Sequence, residues 1–240
     1  MKTLFIGDIH GRTIWNDIIN HEKPDKVIFV GDYFDSFDIT GNYQIENFNN
    51  IIDYKKNSNI DITLLFGNHD YHYLPTFQGY NRYSGYQAQF SFQIQECLVN
   101  NLEHFKMCYQ IDDIVCSHAG ISYYWIMKHL KDETLINDIP KLIETINDYF
   151  IFKPNVFNFD GLDFYGDDLY QTPIWIRPKS LMKSNESTLK DKIIQIVGHT
   201  DMEYHDIKNA NTNGRYYFID GLEYKKYLVY DNNQFTFKQL

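Results

Sequence analysis

Leu64-Leu65-Phe66-Gly67-Asn68-His69-Asp70 joins an apolar run to a group of side chains that bind metals or carry protons. The apolar part is typical of a buried strand, and Gly67 marks a turn at its end. Any strand followed by a solvated loop shows a similar pattern, so this stretch alone is weak support for an active site. Its weight comes from repetition elsewhere in the chain.

Four further apolar runs lead into aspartate, serine or histidine in the same way. Residues 4–7 precede Asp8 and His10, residues 27–31 precede Asp32 and Asp35, residues 114–116 precede Ser117 and His118, and residues 193–198 precede His199. The repetition indicates one site built from several strand ends.

In the first third of the chain, hydrophobic patterns typical of strands alternate with patterns typical of helices. We predict strands at 2–7, 26–31 and 61–66 and helices at 13–22 and 43–56. This β-α-β-α-β order predicts parallel strands in one sheet with right-handed crossovers. Ligands bind at the carboxyl ends of such strands, so the polar residues that follow them are expected to lie together.

The remainder of the chain is less regular. We predict a helix ending near residue 100, a strand at 106–110, two helical pieces within 122–151, and a strand meander at 215–240 with a turn at 231–233. Segments 72–110 and 121–176 would be cap-like parts of a single domain spanning residues 1–240.

Aromatic and histidine residues of these segments have plainer interpretations. Tyr80, Tyr83, Tyr86 and Phe90, beside Arg82, are expected to pack within the irregular segment, the alternative being a cap that stacks on a nucleobase. His21 and His72 are expected at the surface.

Composition limits the class of protein. The chain has 240 residues, 43% of them hydrophobic and 17% aromatic, which is enough for one sizeable core. No apolar run approaches the ~20 residues of a membrane span, and Asp8 interrupts the first strand pattern, so we expect a soluble cytoplasmic protein. The formal charge of −10 argues against a general nucleic-acid surface. Cys97, Cys108 and Cys116 are expected to be free structural thiols.

The donor set at the strand ends contains hard oxygens and imidazole nitrogens without thiolate. Such a set suits borderline divalent metals, manganese foremost, with iron, zinc, cobalt or nickel as alternatives. Two aspartates, three histidines and an asparagine are too many for one ion that also binds water and substrate, so they predict two ions that share a carboxylate. Two such ions activate a bridging hydroxide and bind phosphoryl oxygens, which predicts a phosphoester hydrolase.

Five motifs carry a resemblance to a known family. In chain order they are Gly7-Asp8-Ile9-His10-Gly11, Gly31-Asp32-Tyr33-Phe34-Asp35, Gly67-Asn68-His69-Asp70, Ser117-His118-Ala119-Gly120 and Gly198-His199-Thr200. They resemble the ordered motifs of the calcineurin-like metallophosphoesterase superfamily, particularly its phosphoprotein phosphatase branch, which includes the symmetrical diadenosine tetraphosphatases. The resemblance implies an α/β (α+β) fold: a four-layer αββα sandwich of two mixed β-sheets flanked by helices.

The resemblance also implies a role for each matching residue. Among the metal ligands, Asp8 and His10 would bind the first ion, Asp32 would bridge both, and Asn68, His118 and His199 would bind the second. His69 would be the general acid that protonates the leaving group, and Asp35 would accept its other N–H. Asp70 would support the site from outside the ligand set. The ligand histidines must be neutral and His69 protonated, so their pKa values are expected to differ.

The sequence departs from the branch's pattern at two places. Ser36-Phe37 stands where the branch usually has Arg-Gly, so a phosphate-binding guanidinium is missing there. Arg177 is the favoured substitute and Arg12 the alternative. Asp201 stands where phosphodiesterases and nucleases of the superfamily have histidine, which favours a phosphatase.

Three functions remain open from the sequence. The leading one is a phosphatase that acts on a phosphoprotein or a small phosphomonoester, with a metal-bridging hydroxide as nucleophile. The second is a hydrolase of dinucleoside polyphosphates, because His118-Ala119-Gly120-Ile121 resembles the diadenosine tetraphosphatases. The third is a catalytically silent metal-binding scaffold, which the retention of His69 and Asp35 disfavours. The expected partner is a phosphorylated substrate, with no membrane and no nucleic acid.

Overall fold

The computed structural model describes residues 1–77, 83–159, 163, 165–203 and 214–240. Its first third alternates strands and helices in the order β1 (Thr3–Ile6), α1 (Trp15–Glu22), β2 (Lys26–Phe29), α2 (Gly41–Asn57) and β3 (Asp61–Leu65). β1 pairs in parallel with β2, and β2 pairs in parallel with β3. The predicted β-α-β-α-β order is confirmed, with element ends that differ by a few residues.

The later elements are shorter and less regular. The helices are α3 (Asn68–Tyr71), α4 (Ser91–Val99), α5 (Tyr123–Trp125), α6 (Ile139–Phe152) and α7 (Pro178–Asn185). The strands are β4 (Phe105–Lys106), β5 (Cys108–Ile111), β6 (Ile114–Ser117), β7 (Ile194–Asp201), β8 (Tyr216–Asp220), β9 (Lys226–Asp231) and β10 (Gln234–Gln239). A π-helical turn, Ile126–Leu130, extends α5, and 3-10 turns lie at Ala88–Phe90, Leu102–His104, Glu133–Asn137, Pro154–Phe157 and Leu222–Tyr224. The predicted two-piece helical region is confirmed.

Two mixed sheets form the centre of the fold. The six-stranded sheet has the order β10-β9-β1-β2-β3-β4, and the four-stranded sheet has the order β5-β6-β7-β8. Both sheets combine parallel and antiparallel pairs, since β9 runs antiparallel to β1 and β5 antiparallel to β6.

Successive side chains of β1 point to opposite faces of the sheet, and their contacts show the order of the layers. Phe5 packs toward the four-stranded sheet, in a cluster with Cys116 and Ile196, whereas Leu4 and Ile6 belong to the cluster on the helix-covered face. On the outer face of the four-stranded sheet, Phe218 of β8 packs with Leu181 of α7. The order of layers is therefore helix, sheet, sheet, helix, as the resemblance implied.

Helix α6 follows its sequence signals closely. The Asp138 side chain accepts the Lys141 N–H at 3.1 Å, which caps the first turn, and Pro140 occupies that turn, where no N–H is needed. Leu142 and Ile146 are buried on the face toward the core. A capped start and an apolar stripe thus suffice to place this helix.

The predicted meander at 215–240 is only partly correct. β9 and β10 form a hairpin, and Asn232 and Asn233 between them have φ of 50° and 63°, the left-handed values of a tight two-residue turn. β8, however, pairs in parallel with β7 in the other sheet. The chain crosses between the sheets after β8, because the alternating pattern of a strand does not specify its neighbour.

Three further expectations concern the thiols, the membrane and the exposed histidine. Cys97, Cys108 and Cys116 are free, the last two fully buried, as expected. No helix within the described residues is long and apolar enough to cross a membrane. His21 is exposed as predicted. The extent of the domain and its cap-like segments stays a prediction.

Glu22 at the end of α1 supports a prediction about stability. Its buried carboxylate accepts hydrogen bonds from Tyr227 Oη at 2.7 Å and from Lys238 Nζ at 2.9 Å, and it pairs with Lys2. Burial opposes ionisation, but these contacts outweigh it and lower the pKa of Glu22 to about 2. Because both lysines reach solvent, we expect Glu22→Gln to lower the free energy of unfolding by about 1–2 kcal/mol at pH 7.

The sign of the pH dependence follows from the lowered pKa. The carboxylate stabilises the fold above its unfolded pKa of about 4.3, and this contribution is lost as the pH falls toward 2. Urea unfolding at pH 7 and pH 3 measures the difference between wild type and Glu22→Gln, which should shrink at the lower pH. The exposed Glu46→Gln is the control. A difference that grew on acidification would contradict the assignment.

Candidate metal centre and acid-base residues

Strand ends from both sheets meet at one edge of the sandwich, where the predicted site residues lie. Asp8 and His10 follow β1, Asp32 and Asp35 follow β2, Asn68 and His69 open α3 after β3, His118 follows β6, and His199 lies within β7. Asp8 accepts the His199 N–H at 2.9 Å, a contact between residues 191 positions apart. The packing of the two sheets therefore assembles the site.

Two glycines let the carboxylates approach the main chain. A Cβ built on Gly67 would lie 2.0 Å from Asp32 Oδ1, and one built on Gly198 would lie 2.0 Å from Asp8 Oδ1. Such contacts are far below van der Waals separation, so a side chain at either position would displace a carboxylate. This explains the glycine that begins each of these two motifs.

Four site residues hold left-handed backbone conformations that non-glycine residues rarely adopt. The φ values are 41° at His10, 54° at Asp32, 68° at Asp35 and 65° at His199. Each such residue costs on the order of 1–3 kcal/mol, which the surrounding structure must offset. At these four positions the unusual backbone follows or interrupts a strand and turns the side chain toward the site.

The three predicted ligand histidines share one hydrogen-bonding arrangement. In each ring, one nitrogen lies within hydrogen-bonding distance of a main-chain carbonyl and donates its proton there. The pairs are His10 Nδ1 with Phe34 O (2.6 Å), His118 Nδ1 with Val30 O (2.9 Å) and His199 Nε2 with Trp175 O (3.0 Å). The other nitrogen of each ring is then unprotonated and can bind a metal.

These unprotonated nitrogens face oxygen atoms that also carry lone pairs. Asn68 Oδ1 lies 2.9 Å from His118 Nε2 and 3.0 Å from His199 Nδ1, and Asp32 Oδ2 lies 3.3 Å from His118 Nε2 and 3.8 Å from His10 Nε2. Asn68 Nδ2 is buried with no hydrogen-bond partner among the described residues. A cation between such groups would satisfy their lone pairs, so this donor set fits divalent metal ions.

The carboxylates of the site are crowded enough to perturb one another. Burial raises the pKa of Asp8 well above its usual range, and Asp220 and Asp32 raise it further. Burial and neighbouring carboxylates raise the pKa of Asp220 to about 7. Burial would also raise the pKa of Asp32, but the imidazoles of His118 and His69, in their protonated forms, outweigh it and lower that pKa. Bound cations would relieve the repulsion between these carboxylates.

The histidine pKa values separate in the expected sense. Burial lowers the pKa of His10 to about 4, with a further contribution from His69. Burial also lowers the pKa of His199, and the Arg177 guanidinium adds to the effect. Burial would lower the pKa of His69 too, but the Asp32 charge and the hydrogen bond to Asp35 raise it above its usual value. His69 is thus the histidine of these three whose pKa the surroundings raise.

His69 and Asp35 form the predicted pair. His69 Nδ1 lies 2.9 Å from Asp35 Oδ2, and the His69 main-chain N–H donates to Asp32 Oδ1 at 2.9 Å. Asp35 is buried, and its hydrogen bond with His69 outweighs the burial that would raise its pKa, so the pKa is lowered. The pair leaves His69 Nε2 available to a substrate.

Asp70 supports the site as predicted. Its carboxylate accepts the main-chain N–H groups of Asp32 at 2.8 Å, Tyr33 at 2.7 Å and Gly67 at 3.0 Å. Three hydrogen bonds from two loops fix the strand-end turns that carry Asp32 and Asn68 relative to each other.

A cavity of about 430 Å³ opens over these residues. Asp8, His10, Asp35 and His69 contribute to its floor, while Phe37, Asp38, Asp201, Asp220, Glu223 and Tyr224 also line it. Phe37 is 83% exposed. Two of the predicted metal ligands and the predicted acid-base pair therefore line one solvent-accessible cavity.

The two candidate arginines occupy different places. Arg12 lines the cavity, and its guanidinium lies 3.5 Å from Glu223 and 3.9 Å from Asp38. Arg177 is the candidate favoured from the sequence. Its Nε–H donates to Tyr165 O at 2.7 Å, and its Nη1 donates to His199 O at 3.1 Å. Arg177 thus braces the backbone of a ligand histidine, whereas Arg12 is positioned at the cavity.

The surface prediction for His72 is wrong. His72 is completely buried, and its Nε2 lies 2.7 Å from Asp35 Oδ2. An isolated histidine in an irregular segment usually lies at the surface, which is why its burial was not predicted. One signal was present: His72 follows His69 by three residues, so a helical turn after Gly67 places both on the same side.

The members of the aromatic set that the structure describes pack internally, as predicted. The Tyr83 ring stacks on His72 with centroids 4.8 Å apart, and Phe90 fills the space beside Gly41. Tyr86 stacks on Tyr73 at 5.0 Å. Tyr80 and Arg82 lie outside the described residues.

Fold and site together define a class. The chain belongs to the calcineurin-like phosphoesterase family, whose model matches residues 1–235. It is a metal-dependent phosphoester hydrolase. No curated protein matches the chain with significant sequence similarity.

Solved structures share the fold at low sequence identity. A cold-active protein-tyrosine phosphatase of the psychrophile Shewanella sp. has a TM-score of 0.61 and 18% identity, over 98% of this chain and 77% of that one. Another structure of a cold-active protein tyrosine phosphatase gives a TM-score of 0.55 and 17% identity, over 98% and 75%. A metallophosphoesterase from Sphaerobacter thermophilus gives 0.53 and 15%, over 100% and 88%. These similarities establish the fold.

Proposed function

We propose that the protein is a two-metal phosphomonoesterase that releases phosphate from a phosphoprotein or a small phosphate ester. One observation carries the proposal: the His69–Asp35 pair, with Nδ1 and Oδ2 2.9 Å apart, opens into the same cavity as Asp8 and His10. A leaving-group acid beside metal ligands is the machinery of ester hydrolysis.

Six side chains would hold the metals. Asp8 and His10 would hold one ion, Asn68, His118 and His199 would hold the other, and Asp32 would serve both, with manganese as the expected metal. When bound, two such ions supply a nucleophile at neutral pH and neutralise the phosphoryl oxygens. The carbonyls that accept from the three histidines keep each ring in the tautomer that binds metal.

His69 supplies the proton for the leaving group. As the bond between phosphorus and the ester oxygen breaks, Nε2–H of the protonated His69 transfers its proton to that oxygen, so the product leaves as an alcohol. Asp35 stabilises the positive ring through Nδ1–H and keeps it in place. Such proton transfer contributes ~10²- to 10⁴-fold to the rate.

Arg12 is the residue that we assign to the substrate phosphate. It lines the cavity, its guanidinium offers several donors in one plane, and its present partners are the exposed carboxylates of Asp38 and Glu223. A phosphate dianion competes well with such solvent-screened pairs. Arg177 would instead hold His199 through its main-chain carbonyl.

The charge of the cavity rim favours a monoester over a dinucleoside polyphosphate. The side chains of Asp38 and Glu223 are 71% and 65% exposed, and Asp201 also lines the opening. A tetraphosphate chain would bring several negative charges past these carboxylates, whereas a monoester buries its single phosphate at the metals.

A substrate panel tests the proposal. Protein reconstituted with Mn²⁺ is assayed against phenyl phosphate, diphenyl phosphate and diadenosine tetraphosphate, with metal content measured on the same preparation. We expect the highest kcat/KM for phenyl phosphate. Hydrolysis of the diester alone would contradict the phosphatase assignment, preference for the tetraphosphate would favour the dinucleotide alternative, and no turnover with two bound metals would favour the scaffold.

Neutralising the rim provides a second, independent prediction. Asp38→Asn combined with Glu223→Gln should raise kcat/KM for diadenosine tetraphosphate relative to phenyl phosphate by roughly 3- to 10-fold, because electrostatic repulsion of the longer anion falls. The exposed pair Asp17→Asn and Glu46→Gln has the same charge change away from the cavity and should leave the ratio unchanged. At high salt the ratio in the double variant should approach the wild-type value. If the ratio equals the wild-type value at low salt as well, the rim carboxylates do not select the substrate.

A further inference from the structure

Asp35 stands between two imidazoles. His69 Nδ1 and His72 Nε2 lie 2.9 Å and 2.7 Å from the same atom, Asp35 Oδ2. Both Asp35 and His72 are buried, and Tyr73 Oη donates to the other carboxylate oxygen, Oδ1. The buried carboxylate is therefore contacted on both oxygens.

The three residues Asp35, His69 and His72 have the composition of a metal site, but the hydrogen bonds exclude that use of His72. The Tyr83 main-chain N–H donates to His72 Nδ1 at 3.1 Å. Nδ1 is then an acceptor, so a neutral His72 carries its proton on Nε2, which faces Asp35 Oδ2. A protonated nitrogen cannot bind a metal, whereas it is well suited to hold a carboxylate.

We propose that His72 is a positioning residue for the general acid, an inference that rests on the phosphomonoesterase function proposed above. The close contact of His72 Nε2 with Asp35 Oδ2, at 2.7 Å, holds the carboxylate in place, and Asp35 in turn orients the ring of His69 toward the leaving group. Its effect on catalysis passes through the Asp35 contact, and its ring also meets the His69 ring edge-on, with centroids 5.9 Å apart.

The surroundings of His72 make it a rigid support. Its ring stacks on Tyr83 with an interplanar angle of 12°, and Tyr86 meets its edge at 5.2 Å. Tyr83 packs edge-on against Trp175 at 4.5 Å. A ring fixed on its face, its edge and one nitrogen has little freedom to follow Asp35, so it holds the carboxylate where His69 needs it.

The geometry also explains why one partner for Asp35 is not enough. A carboxylate held only by His69 could rotate about its side-chain torsions and carry the imidazole with it. With Tyr73 on Oδ1 and His72 on Oδ2, the plane of the carboxylate is fixed before His69 is considered. Orientation errors of about 1 Å at a catalytic group cost large factors in rate, so this support matters for turnover.

Two substitutions separate the support of Asp35 from the packing of the segment. Asn at position 72 places an amide oxygen near the former Nδ1, where it keeps the Tyr83 N–H bond but leaves Asp35 without its donor. Gln places an amide N–H near the former Nε2 and keeps the donor to Asp35. Both variants are compared with wild type on phenyl phosphate and on 2,4-dinitrophenyl phosphate, whose leaving group needs no acid, with metal content and Tm measured in parallel.

We expect His72→Asn to lower kcat on phenyl phosphate by roughly 10- to 100-fold while changing kcat on 2,4-dinitrophenyl phosphate by less than about 3-fold, with KM and metal content unchanged. His72→Gln should restore most of the lost kcat. Equal losses on both esters, or equal losses in both variants, would overturn the proposal and leave a packing role. If the proposed phosphomonoesterase function is wrong, the wild type hydrolyses neither ester, a result that differs from every outcome expected when only the role of His72 is wrong.

A measurement on the unaltered protein covers the case in which His72→Asn does not fold. Nitrogen-15 NMR of the wild type loaded with diamagnetic Zn²⁺ distinguishes the two neutral tautomers of a histidine from its ring chemical shifts. The proposal requires the proton of His72 on Nε2. A proton on Nδ1 alone would exclude donation to Asp35 and overturn the assignment.

Discussion

His69→Asn is expected to lower kcat for phenyl phosphate by about 10²- to 10⁴-fold while both metal ions remain bound. The side chain of His69 pairs with Asp35 and does not converge with the lone-pair donors of Asn68 and His118. Removing it therefore takes away the proton donor and leaves the metal-binding oxygens and nitrogens in place. Steady-state kinetics together with metal analysis of the purified variant measures both effects.

The leaving group supplies the internal control for this substitution. With 2,4-dinitrophenyl phosphate the departing oxygen is stable as an anion, so the loss in kcat should shrink to about 10-fold or less. His21→Asn, at an exposed position on α1, should behave as wild type with both esters. Loss of metal from His69→Asn would show instead that His69 is a ligand, and an equal loss with both esters would show a structural defect.

The contrast between His69 and His72 shows what a single sequence can predict about this site. Asn68 and His69 follow a strand and a glycine. The turn that they form is determined by residues next to them in the chain. His72 acquires its partner Asp35 from a different loop, 37 positions earlier in the chain. Only the packing of α3 against the loop after β2 brings them together.

The same distinction between local sequence and tertiary packing applies to the fold. Strands β1 to β3 and the intervening helices are specified by local periodicity and by the helical crossovers that join parallel neighbours. The placement of β8 beside β7, rather than beside β9, depends on which apolar face each strand buries in the contact between sheets. Alternation along a strand gives that face but not the partner strand, so the crossing after β8 was not predictable.

The arginines illustrate a third limit. Arg12 and Arg177 each follow a site motif or an apolar segment, and each offers the same guanidinium chemistry. Their difference lies in what surrounds the side chain: Arg12 lines the cavity, while Arg177 donates to carbonyls of residues 165 and 199. A long flexible side chain reaches several places from one backbone position, so sequence spacing does not choose among them.

Metal binding is expected to have a large effect on stability, and Asp8→Asn should separate that effect from folding. Burial and the nearby charges of Asp220 and Asp32 raise the pKa of Asp8, so the ionised carboxylate is disfavoured in the metal-free protein. Bound cations replace that repulsion with attraction. At a Mn²⁺ concentration about 100 times the Kd, linkage adds about 2.7 kcal/mol, which corresponds to a rise in Tm of roughly 5–10 °C for a chain of this size.

Asp8→Asn should therefore lose most of the Mn²⁺-induced rise, while its metal-free Tm stays equal to or above that of metal-free wild type. The asparagine Oδ1 keeps an acceptor for the His199 N–H, which Asp8 holds at 2.9 Å, so the loop contact survives the substitution. Differential scanning calorimetry with chelator and then with a Mn²⁺ series measures both quantities, with the exposed Asp17→Asn as the matched control. A full Mn²⁺-induced rise in Asp8→Asn would remove Asp8 from the ligand set, and a lower metal-free Tm would show that the ionised carboxylate stabilises the fold without metal.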